Sequence, residues 1–242
     1  MRPIPVPELL NVWERGLTAL PYERALTILS AACPESSRDE LAQLSIGRRD
    51  ARLLQLREWA FGADLVILTV CPSCQQVLEL SIPAAGLRAE EPAKETEGAF
   101  TADNFSIRYR APNTEDLASC AGMEFEASRR KLLTRCVIDS RYYELPIPVE
   151  ELSEAIRSKI AAELAAADPQ ADMRLELACP DCHNCWSEVF DIVSFFWSEI
   201  DAWARRTFRE IDALARVYGW GEKEILALTT ARRQIYLAMA QA

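Results

Sequence analysis

The sequence predicts an α+β protein: a small antiparallel sheet from two repeated hairpins, clipped by metal like a zinc ribbon, surrounded by helices and followed by a long C-terminal helical region. Three observations predict it. Ala63-Asp64, a strand-like run and Cys71-Pro72-Ser73-Cys74 recur 108 positions later as Ala171-Asp172, a second run and Cys179-Pro180-Asp181-Cys182. Apolar residues fall at helical spacing outside these units and at strand spacing within them. The four cysteines form two tight pairs, the arrangement that delivers thiolates to one ion.

Three helical segments open the chain. Residues 6–17 carry Leu9, Leu10, Trp13 and Leu17 on one face, Pro21 starts a second helix through residue 32, and residues 46–61 form a third. In the third, Leu53, Leu56, Trp59 and Ala60 mark the apolar face and Arg48, Arg49, Arg52 and Arg57 occupy the others; Gly62 ends it. Strand-like runs at 65–70 and 77–82 flank the first thiol turn. Residues 83–103 lack periodicity and read as an exposed loop. Phe105, Ile107 and Tyr109 then alternate with Ser106, Arg108 and Arg110 as a half-buried strand, the third of the sheet. Residues 114–137 and 149–167 read as helices, the latter striped by Leu152, Ile156, Ile160 and Leu164.

The second unit returns through a strand at 186–192. A long helix follows from 194 to 218, striped by Phe196, Ile200, Trp203, Thr207, Ile211, Leu214 and Tyr218. Gly219-Trp220-Gly221 breaks it, and a last helix spans 222–239. This gives an N-terminal helical segment (1–62), the clipped hairpin sheet with a helical insert at about 113–168 (63–193), and a C-terminal helical hairpin (194–242), integrated as one domain.

Composition narrows the function classes. With 242 residues, half of them apolar and 26% charged, the chain is long enough to bury a core. Thirty-seven acids against 27 bases give a net charge of −10, which repels phosphate backbones, so nucleic acid is not an expected partner. Three prolines within the first seven residues oppose a secretory signal, and the uncharged stretch 65–78 is too short for a membrane span. The expected compartment is cytoplasmic, where paired cysteines are metal ligands more readily than disulfides.

Cys71, Cys74, Cys179 and Cys182 are therefore the expected ligands of a structural Zn²⁺, held by two knuckle turns whose backbone N–H groups can face sulfur. Unmetallated buried thiols are the plain alternative. A redox Cys-x-x-Cys belongs at a helix N-terminus, whereas both pairs here lie between strands. Cys179-Pro180-Asp181-Cys182-His183 matches a haem-attachment pattern that needs export. Catalytic zinc keeps an open position, for which His183 and Glu188 are the only company. His183 or Cys185 could replace one knuckle cysteine. Cys33, Cys120 and Cys136 lack a partner at ligand spacing and read as core. No phosphate loop, nucleophile elbow or histidine-based acid–base pair occurs, so no catalytic residue and no small-molecule substrate is expected. Trp197, off the apolar stripe, and Trp220 are candidate partner contacts.

Gly47-Arg48-Arg49-Asp50, Leu56-Arg57, Cys71-Pro72-x-Cys74, Tyr109-Arg110-x-Pro112-x-Thr114-x-Asp116-Leu117 and Leu133-x-Arg135-Cys136 occur in that order. Asp168-Pro169-Gln170-Ala171-Asp172, Cys179-Pro180-x-Cys182, Phe190-Asp191-Ile192, Trp197-x-Glu199-Ile200 and Tyr218-Gly219-Trp220 follow. In these motifs the chain resembles the T-even-type phage baseplate family, in the branch found with contractile phage tails and phage-tail-like injection systems. The resemblance implies a non-enzymatic structural or assembly protein of the baseplate hub. It would bind other baseplate or hub proteins in the bacterial cytoplasm during assembly, or within the finished particle, with zinc as a staple between distant hairpins. Two other classes stay open: a zinc-ribbon adaptor or regulator on nucleic acid, which needs a basic stripe, and a thiol oxidoreductase, which needs an exposed low-pKa cysteine.

Overall fold

The computed structural model describes residues 1–88 and 97–240; the middle of the loop expected at 83–103 lies outside the described residues. Helices α1 (Val6–Gly16), α2 (Pro21–Ala32) and α4 (Ile46–Phe61) follow the apolar spacing. The sequence pattern missed α3 (Arg38–Ala42), which is a single capped turn: the Ser37 hydroxyl accepts from the Glu40 N–H while the Glu40 carboxylate accepts from the Ser37 N–H. Gly62 closes α4 at φ 99°, a conformation that favours glycine.

The strands do not form one sheet. Among the described residues, β1 (Asp64–Val70) pairs only with β2 (Val77–Pro83), and β7 (Arg174–Ala178) only with β8 (Cys185–Val189). The Phe105 strand, β4 (Phe105–Arg110), lies in a separate antiparallel sheet between β3 (Glu97–Ala102) and β5 (Val137–Tyr142), with β6 (Leu145–Pro146) at its edge. The two hairpins meet through side chains and not through a shared ladder: the Thr69 hydroxyl of β1 donates to Glu188 Oε2 of β8 at 2.8 Å.

β3 falls inside the stretch expected as loop. Its small residues hide the strand period, and Gly98 is required because a Cβ there would lie 2.5 Å from the Tyr109 ring. Asp103 and Asn104, both at positive φ, turn it directly into β4. The helix expected at 114–137 is two helices, α5 (Thr114–Cys120) and α6 (Phe125–Cys136), parted at Gly122 (φ 74°). The connector beyond it is β5 and β6, joined by a second positive-φ turn at Tyr143-Glu144. α7 (Glu154–Ala167) packs on this sheet, and Ile107, Tyr109, Leu133, Ile156 and Ile160 fill the space between them.

The main core lies elsewhere. It joins α1, α2 and α4 to the inward faces of both hairpins and to the first half of α8 (Ile192–Tyr218). Arg57 and Arg49, expected on outer faces of α4, are 2% and 5% exposed. Arg57 grips both oxygens of Glu199 on α8, at 2.8 and 2.6 Å, and donates to the Gly62 carbonyl, so its charge is fully engaged. Asp116 is completely buried and accepts from Arg110, Arg135 and the Asn113 N–H. The last segment is also two helices, α9 (Glu222–Ala227) and α10 (Thr230–Ala240), which pack with the end of α8 around Leu214, Ile225 and Leu237.

Candidate metal centre

Each cysteine pair sits in the six-residue loop of its hairpin, and the two loops have one geometry. Val70 pairs with Val77 and Ala178 with Cys185, the same register displaced by 108 residues. The Cys71 N–H donates to the Gln76 carbonyl and the Cys179 N–H to the Asn184 carbonyl, each at 2.9 Å. The Gln75 N–H returns to the Cys71 carbonyl and the His183 N–H to the Cys179 carbonyl, each at 3.0 Å. Gln75 and His183 hold φ of 63° and 59°. The sequence repeat is thus a repeat of backbone conformation down to the left-handed residue.

The loops converge. All four sulfur atoms lie within 4.8 Å of one another, with Cys71 Sγ 3.6 Å from Cys182 Sγ and Cys74 Sγ 3.6 Å from Cys179 Sγ. These two contacts exchange when the hairpins are interchanged, so the cluster shares the pseudo-twofold relation of the repeat. Four thiolates at ~2.3 Å from a tetrahedral centre stand about 3.8 Å apart, and the cluster has that scale. Cys71 and Cys179 are buried while Cys74 and Cys182 reach the surface, which leaves an entry path for an ion.

The electrostatics favour a cation. Backbone N–H groups of Cys74 and Ser73 face the Cys71 sulfur and, with the neighbouring thiols, bring it down to about 7 against the effect of burial. The Gln76 N–H acts in the same direction on Cys74, but sharing protons with Cys182, Cys179 and Cys71, together with burial, pushes that thiol up to about 12. Thiols this close cannot all ionise unless a positive charge sits among them.

His183 and Cys185 are not in the cluster. Both are exposed, and the Cys185 thiol points to the His183 carbonyl at 3.8 Å. Cys33 and Cys136 are buried and Cys120 half-buried; burial pushes Cys136 up to about 12, the state of an inert thiol. Trp197, expected at a partner surface, is 8% exposed. Its ring fills the space over Gly16, where a Cβ would fall 2.2 Å from it, and the Arg24 guanidinium lies 4.5 Å from the ring centroid. Helix α8 is covered by α1 and α2 as well as α4, so its apolar face is wider than one stripe, and Trp197 belongs to its flank with Ala204. Trp220 is half-buried, stacked on Tyr218 at 4.6 Å and edge-on to Tyr236.

The buried charges Arg49, Asp50, Arg57 and Asp116 are what the periodicity did not find. Arg49 shares the Leu53 and Leu56 face at i+4 and i+7, which is the signal that marks it as inward.

An α+β chain whose two hairpins bring four thiols into one tetrahedral-sized cluster is the class defined by this geometry. Residues 21–197, which include both thiol loops, match the family described as T4 bacteriophage base plate protein, and the chain belongs to that family. No curated protein and no solved structure matches it. No helix among the described residues is long and apolar enough to cross a membrane.

Proposed function

We propose that this chain is a non-enzymatic structural or assembly component of the baseplate hub of a contractile, phage-tail-like injection system, its fold stapled by one Zn²⁺ on Cys71, Cys74, Cys179 and Cys182. The observation that supports the reading is that the family match runs through both thiol loops, whose sulfurs are already arranged at zinc-thiolate spacing. Four thiolates complete a tetrahedral shell and leave no position for substrate, which is the chemistry of a structural site. The zinc joins two zinc-ribbon-like hairpins that share no backbone ladder, so the ion and the Thr69–Glu188 contact together fix their relative orientation. The partners are other baseplate or hub proteins, met in the bacterial cytoplasm as the machine is built. No nucleic acid or small-molecule substrate is part of this role.

The test is genetic and structural. Deleting the gene in a cell that builds such particles should leave sheath and tube unassembled on a baseplate, with recovery from a plasmid copy. Normal contractile particles from the deletion strain would overturn the proposal.

A further inference from the structure

The first hairpin keeps an open edge. The Cys71 N–H bonds to the Gln76 carbonyl and the Ala84 N–H to the Ala63 carbonyl, so in this register the even-numbered residues of β2 exchange backbone bonds with β1. Val77, Glu79 and Ser81 therefore turn their N–H and carbonyl groups away from β1, and among the described residues no strand takes them up. Only the Gln76 side-chain amide, 3.4 Å from the Val77 carbonyl, touches this row among the described residues. Pro83, next in the same series, has no N–H to leave unpaired, which suits an edge.

The side chains beside that edge form an aliphatic face. Val66, Leu68, Val70 and Val77 are 48–69% exposed, with Val70 opposite Val77 and Leu68 opposite Glu79. Glu79 is the one charged residue from Val66 to Ser81, and it has no ion pair or hydrogen bond among the described residues. The thiol loop does not demand such a face. In the second hairpin, which repeats the register 108 residues on, Arg174, Glu176, Ala178 and Cys185 stand where Val66, Leu68, Val70 and Val77 stand in the first. The same backbone carries a polar outward face there, so the contiguous aliphatic patch is particular to β1–β2 and marks it as a contact surface.

An open row of backbone groups beside an apolar face is complementary to an extended strand. A second copy does not fit: antiparallel pairing of two β2 edges along their length is centred on Glu79 and sets that carboxylate against itself. We propose that a partner protein adds a strand antiparallel to β2, hydrogen-bonded at Val77, Glu79 and Ser81. It carries a Lys or Arg opposite Glu79, with aliphatic residues on either side that extend the Val77 patch. The partner's being a baseplate protein rests on the reading above; the chemistry of the edge does not.

Methyl NMR of the full chain, titrated with acetyl-Thr-Val-Thr-Lys-Thr-Val-Thr-amide and with its Glu analogue, tests it. Saturable shifts at Val66, Leu68, Val70 and Val77 and none at Val189 of the second hairpin are expected, with the Lys peptide binding about fivefold more tightly. Glu79→Gln, an exposed change, should erase the preference for Lys and keep the methyl shifts. N-methylation of the peptide's Lys nitrogen removes the N–H aimed at the Glu79 carbonyl and should abolish binding. Equal affinities for the two peptides, an N-methyl peptide that binds as well, shifts on the second hairpin or no saturable shift would overturn the proposal. So would a dimer of the free chain that Val77→Lys disperses, which assigns the edge to a second copy. Particle assembly, scored separately, is untouched by that failure.

Discussion

The sulfur atoms of Cys71 and Cys182 lie 3.6 Å apart although 111 residues separate them, and Cys74 and Cys179 form the mirror contact at the same distance. Loops that remote in sequence bear a large closure entropy, which must be offset by something formed only when both are in place. A shared ion, as proposed, would do this, because its binding free energy is available only to the folded chain.

Cys71→Ser and Cys179→Ser should each remove the metal and destabilise the fold by several kcal/mol, since the three remaining thiols no longer close the shell. Thermal unfolding with and without chelator measures this: chelator should lower the wild-type midpoint sharply and leave the serine variants where they are. A wild type indifferent to chelator would refute the staple.

Asp116→Asn should cost about 2–3 kcal/mol, because Arg110 and Arg135 lose a fully buried counter-charge. Burial pushes the Asp116 carboxyl up, but Arg110, the Asn113 N–H and Arg135 outweigh it, so it titrates below the usual carboxylate range. The stability it contributes is therefore complete above the unfolded value near ~3.9 and is lost as pH falls through the lower folded value. Denaturant unfolding below about pH 4 should show a smaller acid sensitivity in Asp116→Asn than in wild type.

Asp50 has the opposite sign. Burial, against the pull of Arg49, raises its carboxyl from 3.8 to about 6. The folded state then holds a proton that the unfolded state has released, so this group makes the protein less stable as pH rises from about 4 to about 6, by about 2–3 kcal/mol. Comparing the stability–pH curves of wild type and Asp50→Asn isolates the effect; parallel curves across that window would contradict it.

Gly47→Ala should destabilise by about 1–3 kcal/mol. The added Cβ would fall 2.1 Å from Asp168 Oδ1, and it is the Gly47 N–H that donates to Asp168 Oδ2 at 2.8 Å, so both the contact and the hydrogen bond are displaced. Gly221→Ala, with only the Glu224 carboxylate nearby at 3.7 Å, is the control and should cost much less.

How far the sequence reached follows from which physical signals are local. The thiol pairs, the 108-residue repeat and the helices α1, α2, α4 and α8 were legible because ligand spacing and apolar period are written into consecutive residues. The division of the described residues into three sheets was not, because whether two hairpins pair by backbone or touch by side chains is decided by their relative placement. Trp197 was misplaced for a related reason: its burial depends on Gly16, 181 positions away, and no window on α8 contains that residue. Arg57 and Asp116 look exposed by residue type and are buried because Glu199, Arg110 and Arg135 reach them from other elements.

X-ray absorption at the zinc edge on purified chain, with elemental analysis of the same sample, tests the central claim most directly. One zinc per chain, bound by four sulfurs at about 2.3 Å, is the predicted result. Well under one zinc per chain, or a shell containing nitrogen or oxygen, would contradict it.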